Sequence, residues 1–251
     1  MDELKEDLHL GDALLLMPKI EIGTVDLILT DLPYGVTARN SWDVILPFDK
    51  LWSEWKRLLK PNGAVVLTAT QPFASMTVMS NIPWFKYEWI WKKSKVTGVL
   101  NAKKQPLRQH EQVLVFYDKQ PTYNPQGLVP LNKMVKQGSS SSNYGRRGSQ
   151  DVFQENTNYP RSVLEIASEG GTVHPTQKPV ALMEYLIRTY TNEGDLVLDC
   201  CMGSGTTGVA CAIARRRFIG MEMNAKYFQI ATGRIEGEAP NLDAARSMPL
   251  F

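Results

Sequence analysis

Two hydrophobic periods alternate along the chain. Short runs rich in Val, Ile and Leu occur at Val25–Asp31, Ala64–Thr70, Gln112–Tyr117, Asp195–Cys200 and Phe218–Met223. They are too short for helices and read as buried strands, and Glu88–Trp91 reads as a further one. Other stretches repeat every three to four residues. Asp49–Lys60 gathers Leu51, Trp52, Trp55, Leu58 and Leu59 on one helical face, and Pro61-Asn62-Gly63 stops it. Val180–Thr191 gathers Leu182, Met183, Leu186, Ile187 and Tyr190. Thr206–Arg216 reads as a helix after a glycine turn, and Asn224–Glu236 as a helix capped by Asn224. Strands alternating with helices predict an α/β fold, with a mostly parallel sheet covered on both faces.

The pattern fails between Asp118 and Thr172, where Lys136–Gln150 (KQGSSSSNYGRRGSQ) is low in complexity. This predicts an insertion, residues 118–172, between two halves of one domain, residues 1–117 and 173–251. It reads either as a surface loop or as a segment that orders on a partner. Composition changes this picture little. A 251-residue chain with 43% hydrophobic residues can build a sizeable core, and a net charge of +2 selects no partner. Cys200, Cys201 and Cys211 form neither a C-x-x-C pair nor a zinc spacing, so no metal is expected and a reducing setting is. The acidic start MDELKEDLHL lacks the apolar core of a signal peptide, and no apolar run has the length of a membrane span. A cytoplasmic protein without membrane contact is the expectation.

Charge matters locally. The run Lys86–Arg108 holds Lys86, Lys92, Lys93, Lys95, Lys103, Lys104 and Arg108 against the single acid Glu88, beside Trp84, Phe85, Tyr87, Trp89 and Trp91. Basic residues among aromatics suit phosphate and base contacts, and a solvated basic face reads as well. Arg146 and Arg147 in the insertion add to the basic set. His9 reads as a strand residue, and His110, beside Glu111, as a hydrogen-bonded structural histidine.

Three short motifs carry chemistry. Asp31-Leu32-Pro33-Tyr34-Gly35 ends a strand, at the carboxyl edge where parallel sheets bind ligands. It offers a carboxylate, the Leu32 carbonyl and a ring, which together suit an exocyclic amino group on a flat base; a plain turn with a buried tyrosine reads equally well. Leu196–Cys211 runs from a strand through Gly203-Ser204-Gly205 into a helix, and on its own the glycine pair reads at least as well as a plain tight turn. No lysine follows the glycines, which excludes a P-loop. Glu222 ends the next strand, where an acid would hold ribose hydroxyls, and this points to a nucleoside cofactor. His174–Pro179 (HPTQKP) precedes a helix and offers Thr176 and Lys178; alone it is a helix start.

Together these motifs resemble the amino-directed DNA methyltransferases that use S-adenosylmethionine. TDLPYG looks like the family's D-P-P-Y catalytic motif, DCCMGSGT like its D-P-F-x-G-S-G-T cofactor loop, and HPTQKP like the segment preceding that loop in one branch. Catalytic motif first and cofactor motif last is the order of the β group, in which the target-recognition region lies between. The resemblance covers nearly the whole chain. It implies a Rossmann-like, doubly wound sheet in circularly permuted order, with adenine-N6 methylation of a flipped base in double-stranded DNA as the activity. It assigns catalysis to Asp31, Leu32, Pro33 and Tyr34. The cofactor falls to Asp12, Thr176, Lys178, Asp199, Cys200, Gly203, Gly205, Thr206 and Glu222, with Asp12 at the adenine end and Lys178 at the methionine end. DNA contacts fall to Lys92, Lys93, Lys95, Lys103, Lys104, Arg108, Arg146 and Arg147. Leu32 replaces the family's first proline but keeps its carbonyl, and Cys200-Cys201 replace Pro-Phe. Cytosine-N4 methylation is the nearest rival, although cytosine enzymes often carry serine at the Asp31 position. Methylation of RNA or a protein amide, and a regulator that binds DNA without catalysis, are further ones. The setting implied is the cytoplasm of a bacterial or phage-infected cell. Whether the enzyme works as a homodimer, or beside a cognate restriction enzyme, stays open.

Overall fold

The computed structural model describes residues 8–35, 44–137, 150–170 and 177–246. The strands are β1 (Leu8–Leu10), β2 (Val25–Thr30), β3 (Leu59–Ala69), β4 (Phe85–Thr97), β5 (Arg108–Phe116), β6 (Val129–Gln137), β7 (Gln150–Thr157), β8 (Val163–Glu165), β9 (Leu196–Asp199) and β10 (Arg217–Glu222). The α-helices are α1 (Ala13–Leu16), α2 (Phe48–Leu58), α3 (Phe73–Ser80), α4 (Val180–Tyr190), α5 (Thr206–Ala214) and α6 (Ala225–Arg246). No helix among the described residues is long and apolar enough to cross a membrane.

Eight strands form one sheet in the order β1-β10-β9-β2-β3-β5-β4-β8. The five from β1 to β3 are mutually parallel, and β5 runs antiparallel to both of its neighbours. The sheet is buried on both faces because its central strands are apolar at most positions, with successive side chains serving opposite layers. Val25, Ile28, Val65, Leu67, Leu196, Leu198, Leu114 and Phe116 join the layer that holds α2 and α3. Leu27, Leu29, Ala64, Val66, Val197, Val113 and Val115 join the layer that holds α4 and α5. In α2 the side chains of Leu51, Trp52, Trp55 and Leu58 are buried, the stripe expected from their spacing.

This topology fixes where a ligand can sit. β2 is hydrogen-bonded to β3 on one side and to β9 on the other, and β9 continues to β10. The chain therefore leaves β2 and β9 in opposite directions, with α2 in one layer and α5 in the other. The ends of these two strands meet at the switch point, the usual binding edge of a doubly wound sheet. The permuted order costs nothing here, since the sheet requires only that β2 and β9 lie side by side.

Pro125–Arg161 forms a compact unit of its own. In it, β6 and β7 pair as an antiparallel ribbon, so strand structure exists where the hydrophobic pattern fails. Residues 118–124 and 162–170 belong instead with the main domain, to which β8 adds an edge strand by pairing with β4.

Candidate active site

The Asp31 carboxylate stands just past β2 and is three-quarters buried, with 24% of its side chain exposed. Oδ1 accepts a hydrogen bond from the Tyr34 hydroxyl at 2.5 Å and another from Thr68 Oγ1. Oδ2 accepts from Lys178 Nζ at 2.6 Å. Thr68 comes from the adjacent β3, while Lys178 enters over the sheet edge from the segment that starts α4. Leu32 is buried in the core, so the side chain that stands in place of a proline packs there.

Behind Asp31 lies a chain of alternating charges. Lys178 Nζ is 3.5 Å from Glu111 Oε2, and Glu111 Oε1 accepts from Lys93 Nζ at 3.0 Å. Lys178, Lys93 and Glu111 are 6%, 11% and 14% exposed, so water screens these pairs little. Burial pulls the Lys178 pKa down, but Asp31 and Glu111 outweigh it and leave the ammonium more firmly protonated than a free lysine. Burial, followed by the nearby negative charge of Asp31 and Glu111, drives the Tyr34 pKa well above the usual phenol range, so its hydroxyl remains a donor. The Tyr34 ring stacks on Phe73 at 5.0 Å between centroids, and the Lys178 ammonium lies 5.5 Å from the ring centre. A cavity of about 400 Å³ adjoins Glu111, lined also by Thr70, Gln71, Arg108, His110 and Gln112.

The second half of the binding edge is built from β9 and β10. Asp199 is 2% exposed and accepts from Thr30 Oγ1 at 2.7 Å, Thr207 Oγ1 at 2.6 Å and the Cys201 amide at 3.0 Å. Burial raises its pKa to about 6. The first of these bonds ties β9 to β2 one residue before Asp31. Asp199 therefore shapes the glycine loop from inside. Glu222 ends β10 and accepts from the amides of Gly203 at 3.0 Å and Asn224 at 2.7 Å; its pKa is raised by burial. Gly203 has φ +52°, and a Cβ added there would meet no atom within 4 Å, so its backbone faces open space. Gly205 has φ +80°, and a Cβ there would come within 2.9 Å of Ala231 Cβ; glycine lets α6 close on the loop. Arg234 of α6 donates to the Ser204 carbonyl at 2.5 Å and lies 3.4 Å from Thr206 Oγ1. Asp12 caps α1 by accepting from the Leu14 amide, and Leu10 pairs in register with Glu222.

The sheet edge thus gathers Asp12, Glu222, the Gly203 loop and Asp31 on four neighbouring strands, in that order. Lys178 sits on Asp31, although the resemblance gives it to the cofactor. Cys200 is buried and contributes to the core. Thr176, Arg146 and Arg147 lie outside the described residues. Of the basic run, Lys95, Lys103, Lys104 and Arg108 are exposed, Lys92 pairs with Glu165 at the surface, and Lys93 turns inward to Glu111. The neighbouring rings do not join a basic face: Trp89 and Trp91 are buried, and Trp84, Phe85 and Tyr87 pack against the core. Motif reading misses Thr68 and Glu111. Both signals are topological: Thr68 nears the carboxyl end of a strand beside β2, and β5, being antiparallel, brings its first residues to that same edge.

A model of the DNA methylase family matches residues 25–233. DNA adenine methyltransferase YhdJ of Escherichia coli K12 is 29% identical over 257 residues, covering 94% of this chain and 84% of the relative. The crystal structure of M1.HpyAVI with S-adenosylmethionine is similar with a TM-score of 0.64 and 26% identity, covering 93% of this chain and all of that one. The cytosine-N4-specific PvuII DNA methyltransferase shares the fold at a TM-score of 0.67 and 16% identity, covering 96% and 93%. With the family match spanning both the Asp31 loop and the glycine loop, the chain belongs to the DNA methylase family of amino-methylating DNA methyltransferases.

Proposed function

We propose that this DNA methyltransferase transfers a methyl group from S-adenosylmethionine to the N6 amino group of an adenine flipped out of double-stranded DNA. The observation that carries the reading is a carboxylate, Asp31, held on the strand beside the one that ends in the glycine loop. A cytosine-N4 methyltransferase has the same fold, so the choice of adenine rests on the aspartate at this position and on the kinship with YhdJ.

The residues present fit the cofactor. Gly203 offers backbone to open space, and Glu222 ends β10 beside it, where an acid suits ribose hydroxyls. Asp12 flanks Glu222 for the adenine end, with Gly205, Thr206 and the rest of the loop toward the methionine end. Bound there, S-adenosylmethionine supplies an electrophilic methyl group on a sulfonium. The protein's part is to make a poor nucleophile adequate. The lone pair of an adenine amine is delocalised into the ring. When the Asp31 carboxylate and the Leu32 carbonyl accept its two hydrogens, a pyramidal nitrogen with a localised lone pair is favoured. The positive charge developing on that nitrogen meets a fixed carboxylate, so the stabilisation grows toward the transition state. Tyr34 and Thr68 hold the carboxylate in place, and Pro33 stiffens the loop.

Flipping the base costs a few kcal/mol, which contacts to the duplex must offset. Lys95, Lys103, Lys104 and Arg108 are exposed and would neutralise phosphates, and the insertion would read sequence. Sequencing of modified bases in DNA from a methylation-free host expressing the protein tests the proposal. N6-methyladenine at a recurring site is expected. N4-methylcytosine instead would transfer the same geometry to the other base, and unmodified DNA would refute the activity.

A further inference from the structure

Three protein donors hold Asp31. Oδ1 takes two hydroxyls and Oδ2 takes Lys178. If a base amine takes the line on Oδ2 that Lys178 now holds, a geometry that rests on the proposed function, Lys178 has to shift. It cannot simply be expelled, because a buried ammonium that loses its partner costs several kcal/mol. It needs a second acceptor within a short step, and the structure contains one. Glu111 Oε2 is buried, lies 3.5 Å from Lys178 Nζ and has no hydrogen bond among the described residues, whereas its sister oxygen is held by Lys93. Reaching a charge-assisted bond of about 2.8 Å would take Lys178 only ~0.7 Å.

We propose that Glu111 is a positioning residue for methyl transfer: its Oε2, now 3.5 Å from the ammonium, closes on Lys178 when the target amine takes over Asp31 Oδ2. The ammonium then slides between two carboxylates, and the four-charge chain stays neutral at both ends of the stroke. Lys93 keeps Glu111 aimed, which gives this lysine of the basic run a task inside the protein. Lys178 likewise becomes a placeholder that keeps the carboxylate charged and oriented until the base arrives.

The test is a double-mutant cycle on the single-turnover rate. It uses tritiated-methyl S-adenosylmethionine and DNA from a methylation-free host. Glu111→Gln should lower the rate at least tenfold and leave cofactor affinity within twofold by calorimetry. In a Lys178→Met background the same change should cost less than twofold, because no ammonium remains to receive. A Glu111→Gln rate within twofold of the unaltered protein would overturn the proposal, and so would an equal loss with and without Lys178. If Glu111→Gln fails to fold, Glu111→Asp serves, since it keeps the charge but draws the berth back by a methylene; the same criteria then apply. The unaltered protein in the same assay checks the methyltransferase reading separately, so failure of one is not mistaken for failure of the other.

Discussion

Asp31 shows how one side chain can be both exposed enough to work and constrained enough to be useful. Its carboxylate accepts three protein donors while keeping 24% of its surface. On the proposed mechanism, Asp31→Asn would keep the shape but lose the charge that stabilises the positive charge developing on the amine. Removal of one such acceptor costs on the order of 10²–10³ in rate by analogy with oxyanion-hole deletions. Asp31→Asn is therefore expected to lower single-turnover methylation by about that factor while calorimetric cofactor affinity holds, since Gly203 lies in the loop after β9 and Glu222 ends β10. Loss of cofactor binding in parallel would move Asp31 to the cofactor's side. Tyr34 is expected to act in two separable ways. Tyr34→Phe removes only the hydroxyl from Oδ1, where Thr68 remains; Tyr34→Ala also removes the ring stacked on Phe73. The rate should fall in the order Phe then Ala, measured in the same assay, and an alanine variant as active as phenylalanine would exclude a role for the ring.

Elements differ in how much of themselves they write into sequence. β2, β9 and the buried parts of β3 and β5, residues 64–69 and 113–116, are mostly apolar because helices cover both faces, and these parts are legible from their composition. α2 and α4 are legible because each has one wet side. α3 is not, since Phe73–Ser80 is apolar nearly all round and has no stripe to detect. β4 is recognisable only at its buried centre; its second half, Lys92–Thr97, is mostly exposed and polar, so the pairing with β5 defines it. The ribbon of β6 and β7 lies in a separate unit and does not share the core that writes the pattern elsewhere. Glu111 was invisible for a related reason: its place at the binding edge follows from the direction of β5, and no local motif reports strand direction. The same β4–β5 pair yields a contrast that composition could not. Lys103, Lys104 and Arg108 are exposed near its turn, whereas Lys93 is committed to Glu111. If the exposed three neutralise phosphates, replacing all of them with glutamine should reduce the slope of log K for DNA against log salt by up to about 2.7, at ~0.9 per phosphate. Lys93→Met should leave that slope unchanged. Titrations at several salt concentrations measure both; an unchanged slope in the triple variant would make the exposed three a solvated face.

At the scale of the molecule, the sheet gains its binding edge by accepting a buried carboxylate at the seam between its two wings. Asp199 joins β9 to β2 through Thr30 and fixes the glycine loop through Cys201, and α5 adds Thr207. Three donors lower the cost of the charge, but burial prevails and the pKa stands at about 6 against 3.8 for an ordinary aspartate. The sign of the consequence follows by linkage. Between those two values the folded state binds more protons than the unfolded chain, so stability associated with this group is fully present below about pH 4 and is lost as pH rises through 6. The loss is on the order of 3 kcal/mol, from a shift of roughly two pKa units. Asp199→Asn removes the titration and retains an acceptor for the loop. Urea unfolding at pH 4, 5, 6 and 7 should therefore show the stability difference moving steadily in the variant's favour, and levelling once pH 7 is reached. A difference that stays flat across this range would mean that Asp199 titrates alike in both states, and that the hydroxyls of Thr30 and Thr207 fully offset its burial. The drift instead marks the seam as a place where stability at neutral pH is given up for the alignment of β2 with β9, and with it the approach of Asp31 to the glycine loop.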